Sequence, residues 1–203
     1  MNRRSLFILM MLVLLSGVWA AAGAAEETLK EMKTRSGFER TWPSDVPRHE
    51  FAGVAKCALC HKAPKIGNQY QVWRDSAHAR AYETLGKPEA RELGAKLGIK
   101  DPQKSGKCLR CHATAYFFGE EKVTDAIPVE EGISCETCHG PGKDYMKISV
   151  MKDRAAAVAA GLQVPGEQTC LRCHNDTAPT AKPFHYDKSF EKIRHPRPGP
   201  GAK

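Results

Sequence analysis

Cysteine occurs in this chain only inside four pentapeptides: CALCH (Cys57, Cys60, His61), CLRCH (Cys108, Cys111, His112), CETCH (Cys135, Cys138, His139) and CLRCH (Cys170, Cys173, His174). Thiols so spaced can pair as disulfides, hold zinc or carry a covalent porphyrin. The histidine behind each second cysteine separates these chemistries. Disulfide frameworks have no use for it, although exported cysteines commonly pair. Zinc ribbons set their knuckles about 15–20 residues apart, whereas gaps of 47, 23 and 31 residues separate the motifs here. Covalent c-type haem employs every one of these residues. Each cysteine pair forms thioethers with the two vinyl groups of a porphyrin, and one turn of helix carries the next histidine beneath the iron. Four haems are expected, with His61, His112, His139 and His174 as proximal ligands.

The chain holds eight histidines, so His49, His78, His185 and His195 remain as candidate distal ligands. Bis-histidine ligation throughout is therefore possible. Methionine is the usual alternative, and beyond the N-terminal segment only Met32, Met146 and Met151 could supply it. In "NQYQVWRDSAHARAYETL", Tyr70, Trp73, Ala77 and Ala81 share one side at helical spacing, which predicts a continuous helix with His78 on its flank. "DKSFEKIRHP" predicts a short helix capped by Asp187 and stopped at Pro196, with His195 at its end. His185 stands between the aromatic residues of "PFHYDK". His49 lies in the Pro-rich approach segment "WPSDVPRHEF".

Around these ligands the elements are short. "KPEARELGAKLGIK" reads as a helix with Pro88 in its first turn. Gly106 lets the chain turn into the second motif, and Gly140, Pro141 and Gly142 force a tight turn behind the third. "KDRAAAVAAGL" reads as a helix stopped by Gly161. Strand-like alternation is nearly absent, and apolar sequence is too scarce for a conventional core. The expected fold is mainly α, with short helices and loops wrapped around four covalent c-type haems and little or no sheet. Porphyrin rings would supply much of the buried apolar surface.

The first 25 residues read as an export signal. Arg3 and Arg4 precede an apolar run from Leu6 to Val18, and the small residues that follow place cleavage near Ala24 or Ala25. Residues 26–50 read as an N-terminal strap, 51–196 as the haem domain and 197–203 as a disordered tail. A periplasmic location follows, with membrane association only through an uncleaved N-terminal segment. The formal charge of +8 falls to +6 when Arg3 and Arg4 leave. An exported chain does not ordinarily meet nucleic acid, and the lysines are scattered along the sequence. Their excess reads as a solvated surface biased towards acidic partners.

"FAGVAKCALCH…VWRDSAHARAYETL", "GISCETCHGPG" and "CLRCHN…FEKIRHP" together resemble the tetrahaem cytochrome c-554 family over residues 51–196. Members of that family carry electrons for hydroxylamine oxidoreductase in nitrifiers. The resemblance implies a mainly helical protein with haems in stacked and inclined pairs. It also implies a cross-over of ligands, His78 serving the His174 haem and His195 the His139 haem. The His112 iron would be five-coordinate. The family's first haem takes its distal histidine from just after the HGPG turn, where this chain reads "KDYMKISVMK" and has none. Either His185 or His49 substitutes, or another haem is open.

Saturated bis-histidine iron binds no substrate, which favours an electron carrier working between donor and acceptor redox proteins. The competing expectation is a small enzyme acting on nitrite, nitric oxide or hydroxylamine at an open iron. No motif replaces its histidine with lysine, and no acid–base cluster stands out to support catalysis.

Overall fold

Eleven short α-helices and three 3-10 turns make up the described residues, 49–118 and 125–196, of the computed structural model. No strand occurs among them, so the fold is mainly α as the sequence implies. The expected export signal, most of the strap and the terminal tail lie outside the described residues. In chain order the helices are α1 (Val54–His61), α2 (Gln69–Asp75), α3 (Ala81–Thr84), α4 (Pro88–Lys96), α5 (Gly106–His112) and α6 (Thr114–Phe117). They continue as α7 (Cys135–His139), α8 (Ile148–Met151), α9 (Arg154–Ala159), α10 (Glu167–Leu171) and α11 (Tyr186–Phe190). No helix of the described residues is long and apolar enough to cross a membrane.

Two helices form as their local chemistry requires. Pro88 opens α4 at its first position, with Glu89 in the first turn and Lys96 in the last, each charge opposing the helix dipole. Asp153 caps α9, its carboxylate accepting from the amides of Ala155 (2.9 Å) and Ala156 (3.1 Å).

Two other helices are shorter than expected. The helix predicted through His78 breaks after Asp75, where Ser76 adopts extended backbone (φ −78°, ψ 163°). The Ser76 hydroxyl donates to the Trp73 carbonyl at 2.6 Å, a local bond that competes with helix continuation. His78 therefore sits in a loop between α2 and α3. That loop is tied down: the Ile133 amide donates to the His78 carbonyl at 3.0 Å, and Trp73 Nε1 donates to the Ile133 carbonyl at 2.8 Å. The C-terminal helix α11 is capped at His185 rather than Asp187, which falls in its first turn. After Phe190 the chain continues in turns, closed by the Arg194 amide bonding the Phe190 carbonyl at 2.7 Å, and His195 follows.

The apolar core is small. Leu85, Leu109 and Ala113 pack with Tyr82, Cys108, Tyr116 and Val129 around the second motif. Polar groups do the work elsewhere. Glu136 is 0% exposed, and its carboxylate accepts from the amides of Ala52 (2.8 Å), Gly53 (2.9 Å) and Gly142 (2.6 Å). These charge-assisted bonds offset the cost of burying the carboxylate. They also fasten the approach to α1 onto the loop behind α7, so the first and third motifs are held together. Beside them the buried Thr114 hydroxyl donates to the Gly132 carbonyl at 3.0 Å and accepts from the Ser134 amide at 2.7 Å.

Candidate haem sites

Each Cys-x-x-Cys-His motif lies on one turn of helix. The first closes α1, the second closes α5 and the third is the whole of α7. The fourth begins in α10 and leaves it at Arg172, yet the His174 amide still bonds the Cys170 carbonyl at 2.9 Å. Residues three and four apart share a helix face. Both cysteines and the histidine of each motif consequently point to one side, as covalent attachment and iron ligation by the same porphyrin require.

Three of the four motif histidines are oriented through Nδ1. His112 Nδ1 lies 2.7 Å from the Ala81 carbonyl, with the Thr84 hydroxyl at 3.3 Å. His139 Nδ1 lies 3.2 Å from the Gln163 carbonyl, and His61 Nδ1 lies 3.2 Å from Gln69 Oε1. Gln69 is itself held by the Ile66 and Pro196 carbonyls at 2.6 and 2.9 Å. An acceptor on Nδ1 fixes the tautomer that leaves Nε2 free, the arrangement of a metal-ligating imidazole.

The structure then pairs motif histidines with distant ones. The rings of His78 and His174 lie 6.0 Å apart between centroids, those of His139 and His195 5.9 Å apart. Two imidazoles bound trans to one metal, at metal–nitrogen bonds of about 2 Å, also place their centroids roughly 6 Å apart. The residues present therefore fit a bis-histidine metal at both pairs. Burial is the main cause holding His78, His139, His174 and His195 below the usual histidine range, the proximity of His174 adding to it at His78. Such imidazoles stay neutral, the form that binds iron. A buried nitrogen of His195, Nδ1, has no hydrogen-bond partner. Among the described residues no group of three or more metal-ligating side chains converges, so the arrangement is one of pairs.

The remaining candidates are placed differently. His49 packs with a side chain only 13% exposed, its Nδ1 2.7 Å from Asp144 Oδ2. His185 is exposed at the start of α11 and its ring meets no other histidine among the described residues. Phe184, its neighbour, stacks on His174 with ring centroids 4.9 Å apart. The described contacts bring no second histidine ring to His112. Met146 is exposed.

The cysteines also come together across motifs. The thiols of Cys57 and Cys135 lie close enough to interact, which with burial raises Cys135 and lowers Cys57. Burial, with the nearby Cys170 thiol adding to it, pushes Cys138 up to about 11. The first motif thus adjoins the third, and the third adjoins the fourth. Sequence reasoning missed the groups that bond the candidate histidines, namely Gln69, Gln163, Asp144 and the Ala81 carbonyl. It also missed Glu136, although an acid between the cysteines of "CETCH" was a visible signal.

The family described as cytochrome c554 and c-prime matches residues 56–140. The chain is also 31% identical over 151 residues to a protein named cytochrome c-554 from Nitrosomonas europaea, covering 71% of this chain and 56% of that protein. It thus spans little more than half the length of that curated relative. No solved structure matches the chain.

Proposed function

The chain belongs to the cytochrome c-554 family, and from that membership we propose that it is an exported electron carrier. It binds four c-type haems through Cys57, Cys60, Cys108, Cys111, Cys135, Cys138, Cys170 and Cys173, and passes single electrons between donor and acceptor proteins. The observation that carries this reading is the pairing of His78 with His174 and of His139 with His195. Haem iron supplies reversible one-electron chemistry. Imidazole on both sides saturates the metal and favours transfer over substrate binding.

The protein's own part is position. Attachment thiols set close together, such as Cys57 and Cys135, would bring the groups they carry near one another. Glu136 locks that junction. Five cations, Lys96, Lys100, Lys104, Lys107 and Arg110, fall within fifteen consecutive positions leading into the second motif, and all are exposed. Only Lys104 among them has a nearby acid, Asp101 at 3.3 Å. This face suits an acidic redox partner.

One observation favours a second reading. No histidine faces His112, so an open iron there would act on nitrite, nitric oxide or hydroxylamine. Intact mass of the purified protein tests the haem count, with four haem additions expected and a haem-free mass overturning the reading. Carbon monoxide added to the reduced protein separates the two roles. A carrier binds it at one iron or none without turnover of those substrates, and measurable turnover would establish the enzyme.

A further inference from the structure

The histidines fall into two groups. His112 is tied to the Ala81 carbonyl, three residues beyond His78, and His78 faces His174. His139 faces His195, and Gln69 ties His61 to the residue after His195, its Oε1 3.2 Å from His61 Nδ1 and its Nε2 donating to the Pro196 carbonyl at 2.9 Å. His49 belongs to the second group. Its ring packs on Gly161, where a Cβ would stand 2.6 Å from His49 Cδ2 and 2.8 Å from Nε2. The Gly161 carbonyl in turn lies against Gly140, directly behind His139. With His139 already paired to His195, His61 is the motif histidine in this group without a ring opposite.

Three features mark His49 as prepared for a metal. Its side chain is largely withdrawn from solvent. Nδ1 donates to the Asp144 carboxylate at 2.7 Å, the partner that aims an imidazole ligand and raises its basicity. Neighbouring backbone holds the segment in register, since the Lys143 amide donates to the Glu50 carbonyl at 3.0 Å and the two side chains form an ion pair. Asp144 follows the Gly140–Gly142 turn, so the turn delivers an orienting carboxylate to a residue 95 positions earlier in the chain. His185 has none of these features.

We infer that His49 is the distal ligand of the haem held by His61, with Asp144 as its positioning residue. This rests on the haem reading above. Intact mass is therefore measured first on every variant, because a missing haem addition overturns that reading and not this assignment.

With four haems retained, His49→Ala turns one low-spin ferric iron high-spin in electron paramagnetic resonance, and His185→Ala does not. His49→Met keeps that iron low-spin and raises its midpoint potential, as methionine does in place of histidine. Asp144→Asn leaves the spin state intact but raises the same potential, because a neutral acceptor lends the imidazole less electron density. Asp144→Glu restores it. An unchanged spectrum in His49→Ala, or conversion in His185→Ala, overturns the ligand assignment. Equal potentials in Asp144→Asn and the unaltered protein remove Asp144 from its role.

Discussion

His139 and His195 face one another at 5.9 Å between ring centroids, their planes inclined by 42°. One closes the third motif, and the other follows the last described helix. Nothing local brings them together. His195→Ala is expected to convert one low-spin ferric haem to high-spin, and His78→Ala to convert a different one at His174. The double variant should show both, because the pairs share no ligand. Electron paramagnetic resonance of the oxidised proteins reads the count, and an unchanged spectrum in either single variant would remove that pair.

Glu136 is a buried carboxylate with three amide donors. Glu136→Ala leaves those donors unpaired and should cost about 3 kcal/mol of stability, given the price of orphaned buried polar groups. Glu136→Gln keeps part of the acceptor capacity and should cost roughly half as much. Denaturant unfolding of the haem-loaded protein measures both. Equal stability of all three proteins would mean that the carboxylate does not hold the first and third motifs together.

Glu131 carries a pH signature. Burial, with the Glu136 charge adding to it and the Val54 amide opposing it, raises its carboxyl from 4.5 to about 7. The folded chain then holds a proton that the unfolded chain has released, so the unfolded state binds fewer protons across this window. Stability from this group is fully present below pH 4.5, declines as pH rises and levels off above about 7. Glu131→Gln should flatten that decline in unfolding measured at pH 5 and pH 8. A slope identical to that of the unaltered protein contradicts the prediction.

Gly132 supports the His78 loop. Its φ is +65°, and a Cβ there would lie 2.6 Å from the His78 carbonyl. Gly132→Ala should cost about 2 kcal/mol through backbone strain. It should also produce a partial high-spin signal at the His174 iron as His78 is displaced. Thermal unfolding and resonance spectra of the same sample check both parts.

Much of the site was legible because covalent chemistry leaves a local mark. The cysteines and the four motif histidines are contiguous in sequence, so spacing alone marked them as candidates. His78 and His195 stood out as candidate ligands, but their partners were implied only by family resemblance, since pairing across the chain has no local signal. The helix expected through His78 failed for a readable reason. Apolar spacing continued past Asp75, but the Ser76 hydroxyl bonded the Trp73 carbonyl and Ile133 captured the loop. Asp187 lost the cap of α11 to His185 by two residues, the ordinary uncertainty of a helix end. Gln69, Gln163 and Asp144 could not be found by pattern. Their roles depend on which backbone returns beside which histidine.

Cys57 and Cys135 come from different motifs, yet their thiols lie close enough to shift one another. In an oxidising compartment neighbouring thiols join readily. An immature chain that reached this arrangement first would weld the two together and shut both anchor points against their porphyrins. If the chain matures after export, porphyrin attachment would compete there with oxidation of this pair.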